Sequence, residues 1–373
     1  MIFFHRCPKP TKIFIPALQS TLFSLLFLSI SQAEPIKVGV PLALTGDLAN
    51  CGNEMKNALV LANEKFGGGR YQLLFQDDRC HNTEAVSIAR RFIDIDKIKY
   101  ALGFMCNQTL VATAPIYDRA GVYVFSGSGT SGDIPSLGKR NFRFFPSDVF
   151  GAKRLFRYIK EHHKSLSILS ELTEYSTMMD RTFVATNQAE GSPLKIDSYQ
   201  YNASDTDLKT LLLKIKSSPA EAFYINADSD ASYNIILKQL EAINFSRSLY
   251  AVYLTAAPTT ISSGSKLNNK VIFSNLPLLE NFVTEKGKEI LVEYSKRFGN
   301  PTCGFPVVPT TLESFRVFDK AISSGITPEE MLTNKEIEGG FLPPYRFDSG
   351  GNATGFEFEM QQIKDGQVVI LEK

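Results

Sequence analysis

The residues with chemical reach gather between positions 77 and 132. Asp77-Asp78-Arg79-Cys80 is followed, across one expected helix and one strand, by Gly103-Phe104-Met105-Cys106-Asn107. The next strand opens into Ser126-Gly127-Ser128-Gly129-Thr130-Ser131-Gly132. A loop of small hydroxylated residues and glycines lets main-chain N–H groups converge on an anion or another polar group. Cys80 and Cys106 flank the helix-strand unit between these motifs, and closing that loop as a disulfide contributes ~3.5 kcal/mol in the loop-entropy account. The chemistry this implies is capture of a small ligand by hydrogen bonds on a cross-linked scaffold. Asp228 and Asp230 end a later strand and read either as ligand contacts or as caps of the following helix.

Catalysis finds little support. Gly127-x-Gly129-x-x-Gly132 formally matches a dinucleotide fingerprint. Pro135 nevertheless arrives before a helix can develop, and Asp148, the acid at about the right distance, follows Pro146-Ser147 instead of ending a second strand. No GxSxG elbow, HExxH or Walker sequence occurs, and four histidines leave little general-base chemistry. His162-His163 reads as a solvated helix C-terminus favoured by the dipole. No CxxC pair is present, which argues against zinc. The expectation is a non-enzymatic chain with no catalytic residue, no metal site and no cofactor.

Residues 1–33 have the makeup of an export signal. Arg6, Lys9 and Lys12 precede an apolar run from Ile13 to Ile30, and Ser31-Gln32-Ala33 offers small residues for cleavage near Ala33. Pro16, Gln19 and Ser20 interrupt the run, so its apolar centre is short for a membrane span. Losing those three basic residues takes the formal charge from +1 to −2. A near-neutral balance without a basic cluster argues against nucleic acid as a partner. Cys51, Cys80, Cys106 and Cys303 remain, and an even count in an exported chain favours disulfides.

These motifs need elements to hold them. Apolar β-branched runs such as Ile36–Leu42 alternate with stretches of helical periodicity such as 53–66, where Met55, Leu59, Ala62 and Phe66 share a face. The alternation predicts a parallel sheet covered on both sides. A second set of similar order follows an extended link at 141–145. It begins with a helix from about Ala152 to His162 and includes a helix from Asp205 to Ser217 capped by Ser204 or Asp205. Two long helices, 285–298 and 310–323, and a hairpin-rich tail from Tyr345 to Leu371 complete the chain.

Several of these segments carry a resemblance. Ile36-Lys37-Val38-Gly39-Val40 with Thr45-Gly46, Asp77-Asp78-x-Cys80, Ile98-Lys99-Tyr100-Ala101-Leu102-Gly103 running to Cys106, Ser126-x-x-x-Thr130 and Phe347-Asp348 resemble the periplasmic solute-binding proteins of the leucine/isoleucine/valine-binding family. The resemblance implies an α/β type I periplasmic binding protein, two Rossmann-like lobes joined by a three-strand hinge. The N-lobe is expected over 34–147 and 277–340, and the C-lobe over 148–276 and 341–373. It also implies a monomer that traps a small molecule in the cleft for a membrane ABC permease, or presents the closed form to a sensor receptor.

Carried over by position, the resemblance gives a ligand set. Asn107 replaces the family's serine, with an amide able to donate to a carboxylate. Thr130 matches the threonine whose hydroxyl and backbone amide cradle the ligand carboxylate, with Ser126 and Ser128 beside it. Tyr175 matches a tyrosine that closes over the ligand from the second lobe. Cys51 stands where the family has a pocket aromatic, and Ser229 or Asp230 where it has another. The acid that pairs with the ligand ammonium falls near Leu254 or Thr255 and is missing. A buried ammonium without a carboxylate is costly. Two ligand classes therefore stand open: a carboxylate or amide lacking an α-amine, or a cation read by Asp228 and Asp230. Cys51 and Cys303 both fall at the cleft edge, as a second disulfide or as two free thiols.

Overall fold

Every strand of the first sheet is fed by a helix or loop that returns it in the same direction. A computed structural model of the protein describes residues 34–46, 48–134, 138–256, 258–303 and 305–372. The expected signal, its cleavage point near Ala33, and Pro135 lie outside the described residues. The chain runs β1 (Ile36–Leu42), α1 (Ala49–Ala62) with a π-helical turn at Asn63–Gly67, β2 (Tyr71–Asp77), α2 (Asn82–Asp94), β3 (Tyr100–Gly103), α3 (Asn107–Arg119), β4 (Tyr123–Ser126) and β5 (Asn141–Arg143). These strands form one parallel sheet in the order β2-β1-β3-β4-β5. The segment expected as a link at 141–145 is thus partly a fifth strand, because its main chain pairs with β4.

The second set runs α4 (Asp148–His162), β6 (Ser165–Glu171), α5 (Glu174–Ala189), β7 (Lys195–Tyr201), α6 (Lys209–Ser217), β8 (Ala222–Asn226), α7 (Asp230–Ala242), β9 (Ser248–Ala251), α8 (Pro258–Ser262) and β10 (Val271–Asn275). The chain returns through α9 (Leu279–Phe282), α10 (Glu285–Phe298), α11 (Val307–Ser323), α12 (Pro328–Leu332), β11 (Glu336–Ile337), β12 (Tyr345–Phe347) and β13 (Ala353–Thr354), and ends in the hairpin β14 (Glu359–Lys364) and β15 (Gln367–Glu372). The second sheet has the order β15-β14-β10-β9-β8-β6-β7, with β14 and β15 antiparallel to an otherwise parallel sheet. Helix α6 starts at Lys209 without a side-chain cap, four residues beyond the expected Asp205. Asp205 instead accepts from the Asn202 N–H at 2.8 Å and closes a turn.

Burial follows the parallel-sheet rule that both faces are covered. On one face of the first sheet, Val38, Val40 and Leu42 pack with residues of α1, α10 and α11. On the other, Phe92 of α2 and Leu110, Ala114 and Tyr117 of α3 close the layer. The second sheet has its own core, including Leu155 and Phe156 of α4, Met178 and Phe183 of α5, and Ile225 of β8.

The chain passes between the two sheets at 144–147, 276–278 and 355–358. The division expected from the sequence has the third passage at residue 340. Phe341, Leu342, Tyr345, Phe347 and Ala353, however, pack in the core of the first sheet, and only β14 and β15 join the second. The physical reason is a local dock: the Arg143 N–H donates to the Gly351 carbonyl at 2.8 Å, and its guanidinium donates to the Asn352 side-chain oxygen. Gly351 is required there. Its φ is +75°, and a Cβ would stand 1.7 Å from the Asn141 carbonyl oxygen.

Candidate ligand-binding cleft

The carboxyl ends of β3 and β4 set the first wall, the edge where open α/β sheets carry their ligands. After β3 the backbone turns left-handed at Gly103 (φ 106°) and Phe104 (φ 64°), with the Phe104 ring buried edge-on against Tyr117. The strained turn aims α3 so that Asn107, its first residue, faces the loop after β4. The Thr130 and Ser131 N–H groups both donate to Asn107 Oδ1, at 2.7 and 3.0 Å, and Asn107 Nδ2 donates to Thr130 Oγ1 at 3.0 Å. The amide expected to face a ligand is therefore engaged with its own loop. Ser126 and Ser128 are buried. Ser126 Oγ accepts from the Gly129 N–H at 3.0 Å, and Ser128 Oγ donates to the Met105 carbonyl at 3.2 Å, so both shape the loop from behind.

Both cysteine pairs are bridged. Cys51 and Cys303 have sulfurs 2.02 Å apart and join α1 to the segment before α11, while Cys80 and Cys106 have Cα atoms 5.6 Å apart. Cys51 is buried in the core rather than presented as a thiol. Glu54, one turn on, fixes the bridged segment by accepting from the Cys303 N–H at 3.1 Å and the Thr302 hydroxyl at 3.0 Å. Asp77 does similar work at β2: it accepts from the Leu44 N–H at 2.9 Å and the Thr45 hydroxyl at 2.6 Å, tying the β1 end to the Cys80 turn.

The opposing wall comes from the second sheet. Thr173 caps α5 by accepting from the Ser176 N–H, which places Tyr175 in the first turn. Tyr175 is 5% exposed, and its hydroxyl lies near the Asp148 carboxyl and Tyr253 without an aligned hydrogen bond. Its ring lies 6.3 Å from Tyr253, which in turn meets Phe305 of the first lobe edge-on at 4.9 Å. Asp228 follows β8 and is open to the cleft; its N–H donates to Glu171 at 2.8 Å. Ser229 caps α7, and Asp230 lies in that helix's first turn, where an acid favours the dipole. Thr255, near the position of the missing acid, is buried with its hydroxyl against Val252 and Tyr233.

Between the walls stands Asp148, at the first passage between lobes. Helix α4 begins there, four residues before the expected start, because the Ser147 hydroxyl caps it. Asp148 is 6% exposed, and its Oδ2 has no hydrogen-bond partner. Burial pushes its carboxyl up to about 6, offset in part by the Thr130 hydroxyl, the Arg143 charge and the Tyr175 hydroxyl, and reinforced by Asp228. Asp228 is pushed up to about 6 by the crowding of its carboxyl, opposed by Thr173 and reinforced by Glu171 and Glu174. Water still reaches Asp228, so its shift indicates a direction of proton movement more than a stability. Two links join the rims: Ser131 Oγ to Glu174 at 3.5 Å, and Arg181 to Asp133 at 3.4 Å.

Thr130, Asn107, Tyr175 and Asp228 thus border one cleft, with Ser126, Ser128 and Cys51 packed behind it. The sequence reading missed Asp148, Tyr253 and Phe305. Only the Ser147-Asp148 pair carried a signal, the cap and first-turn acid of a helix start.

Comparison with known proteins accords with this architecture. The family model described as periplasmic binding protein matches residues 35–322. The Leu/Ile/Val-binding protein of Escherichia coli K12 is 22% identical over 369 residues, covering 92% of this chain and 94% of its own length. A leucine-, isoleucine-, valine-, threonine- and alanine-binding protein of Pseudomonas aeruginosa is 25% identical over 209 residues, and the match spans 55% of that protein. Among solved structures, a leucine binding protein from Thermotoga maritima superposes with a TM-score of 0.75 at 20% identity, covering 90% of this chain and 97% of that one. A Rhodopseudomonas palustris solute binding protein in complex with 4-hydroxybenzoate gives 0.75 at 15% identity, over 91% and 96% of the two chains. Two lobes, three passages between them and a family match across most of the chain lead to one conclusion: the protein belongs to the periplasmic binding protein family.

Proposed function

We propose that this chain is an exported, monomeric solute-binding protein that encloses a small polar ligand between its lobes and delivers it to an ABC-type permease in the membrane. The observation that carries this reading is the meeting of polar groups from three separate parts of the fold. Thr130 comes from the first lobe, Tyr175 from the second, and Asp148 from the passage between them, all within electrostatic reach of one another. No single lobe contains the site, so a ligand touching all three favours the closed arrangement by the difference in its contacts with the two states. The permease then reads the closed surface. The relatives named for branched-chain amino acids and the neighbour holding 4-hydroxybenzoate support a small polar solute as the cargo class.

The chain contains no tryptophan, so calorimetry and dye-based melting suit it better than tryptophan fluorescence. A ligand at a hundred times its dissociation constant adds about 2.7 kcal/mol to the stability of the closed protein. The ligand is expected to be recovered unchanged after incubation. A chemically altered product, or no stabilisation across amino acids, carboxylates, amides and amines, overturns the reading.

A further inference from the structure

We propose that the cleft takes a cation, a primary amine or amidinium-type ligand without a carboxylate, because the loop donors that could hold an anion are engaged by Asn107 while the facing groups are carboxylates. This deepens the proposed function and rests on the cleft being the capture site.

Two successive N–H groups, those of Thr130 and Ser131, converge on one oxygen at 2.7 and 3.0 Å. Convergent main-chain donors of this kind form an anion nest. Here the oxygen belongs to Asn107, whose amide also donates to Thr130 Oγ1. The Gly129 N–H goes to Ser126 and the Ser128 hydroxyl to Met105. A ligand carboxylate entering this wall has to displace the Asn107 amide, and the amide oxygen it frees is costly to leave without a donor.

Across the cleft the balance is reversed. Asp148 senses the charge of Asp228, and Asp228 senses Glu171 and Glu174. Arg143 is the cation that acts on Asp148, and its guanidinium hydrogen bonds go to the Ser131 carbonyl and Asn352. The enclosing groups therefore sum to a negative charge. Independently of that charge, Asp148 Oδ2 and the Tyr175 hydroxyl lie buried near one another at the place where the lobes meet, without an aligned hydrogen bond. Tyr253 and Phe305 add ring surface, which also favours a cation. An ammonium or amidinium supplies the positive charge and the N–H donors that this arrangement is short of.

The test uses matched ligands and the purified protein at pH 7.5: leucine, its decarboxylated amine 3-methylbutylamine, its deaminated acid 4-methylpentanoate, and the pair arginine and agmatine. Calorimetry and melting shifts are read for the wild type, Asn107→Gly, Asn107→Ser and Asp228→Asn. The amines are expected to bind the wild type at least tenfold more tightly than the acid. Asp228→Asn, a change at an open position, is expected to weaken amine binding tenfold or more. Either Asn107 variant frees the two N–H groups and is expected to gain at least tenfold in acid binding. Tighter binding of 4-methylpentanoate than of either amine overturns the cation assignment while leaving capture in the cleft standing. Asn107 variants that fold and show no gain for the acid also overturn it. Binding of neither series to the wild type defeats the capture reading itself and the cation assignment with it.

Discussion

Asp148 and Tyr175 illustrate what one residue can reveal about a binding cleft. Each buries a polar atom without an aligned partner, an arrangement that lowers stability and is uncommon where no other demand is made on the residue. Replacing Tyr175 by Phe removes a buried hydroxyl that makes no aligned hydrogen bond and only eases the Asp148 charge, so melting of the ligand-free protein is expected to change little. Ligand affinity is expected to fall about tenfold, which corresponds to one hydrogen bond of roughly 1.4 kcal/mol. A drop in stability with unchanged affinity would place the hydroxyl in the scaffold instead. For Asp148 the sign can be worked out. Its folded value of about 6 lies above the ordinary 3.8, so the folded protein holds the proton more tightly than the unfolded chain. The associated stability is full below 3.8 and is lost as the pH rises through about 6, a swing of about 3 kcal/mol. The groups facing it are Arg143, Thr130, Tyr175 and Asp228. Asp148→Asn is expected to melt close to wild type at pH 4 and above it at pH 7.5, and equal differences at both values would refute the assignment.

At the scale of elements, most of the fold was legible. Apolar β-branched runs alternating with helical periodicity fixed the parallel order, because each element must bury its own stripe. The misses have separate causes. Val149 and Phe150 follow Phe144-Phe145 and look like extended chain, so the expected start of α4 at Ala152 falls four residues late and leaves Asp148 outside the helix. The passage at 355–358 was placed too early because the dock of Gly351 and Asn352 on β5 is a contact over some 200 residues, with no local signature. The wall proposed for the ligand was half legible: the motifs bring Asn107 and Thr130 to one strand edge, but only the folded chain shows the amide turned onto its own loop. The Cys51–Cys303 bridge, left open by the sequence, ties α1 to the segment before α11 across 252 residues. Loop entropy sets a ceiling of about 5 kcal/mol on its contribution. Protein lacking residues 1–33 is expected to show no free thiol when denatured without reductant, and Cys51→Ser with Cys303→Ser is expected to melt well below wild type. Two free thiols in the native sequence would remove this bridge from the account.

For the whole molecule, closure and charge are linked. The lobes meet through Tyr253 on Phe305, Ser131 with Glu174, and Arg181 with Asp133, and the same approach encloses Asp148 and crowds Asp228. Opening the cleft is expected to return the Asp148 carboxyl to water and to move it away from Asp228. Protonation therefore favours the closed form, and ionisation, with Asp148, Asp228, Glu171 and Glu174 facing one another against Arg143, opposes it. A cation entering the cleft acts in the same direction as protons by neutralising the enclosed charge, and it competes with them for the same carboxylates. Small-angle scattering can follow this, because closing two lobes lowers the radius of gyration. The ligand-free protein is expected to be more compact at pH 5 than at pH 7.5, and agmatine is expected to compact it at pH 7.5 but add little at pH 5. In calorimetry the same ligand is expected to bind more tightly as the pH rises through about 6, and Asp148→Asn with Asp228→Asn is expected to flatten both profiles. A radius independent of pH in the wild type would separate closure from these carboxyls, leaving the contact of Tyr253 with Phe305 and the links of Ser131 to Glu174 and Arg181 to Asp133 to hold the lobes.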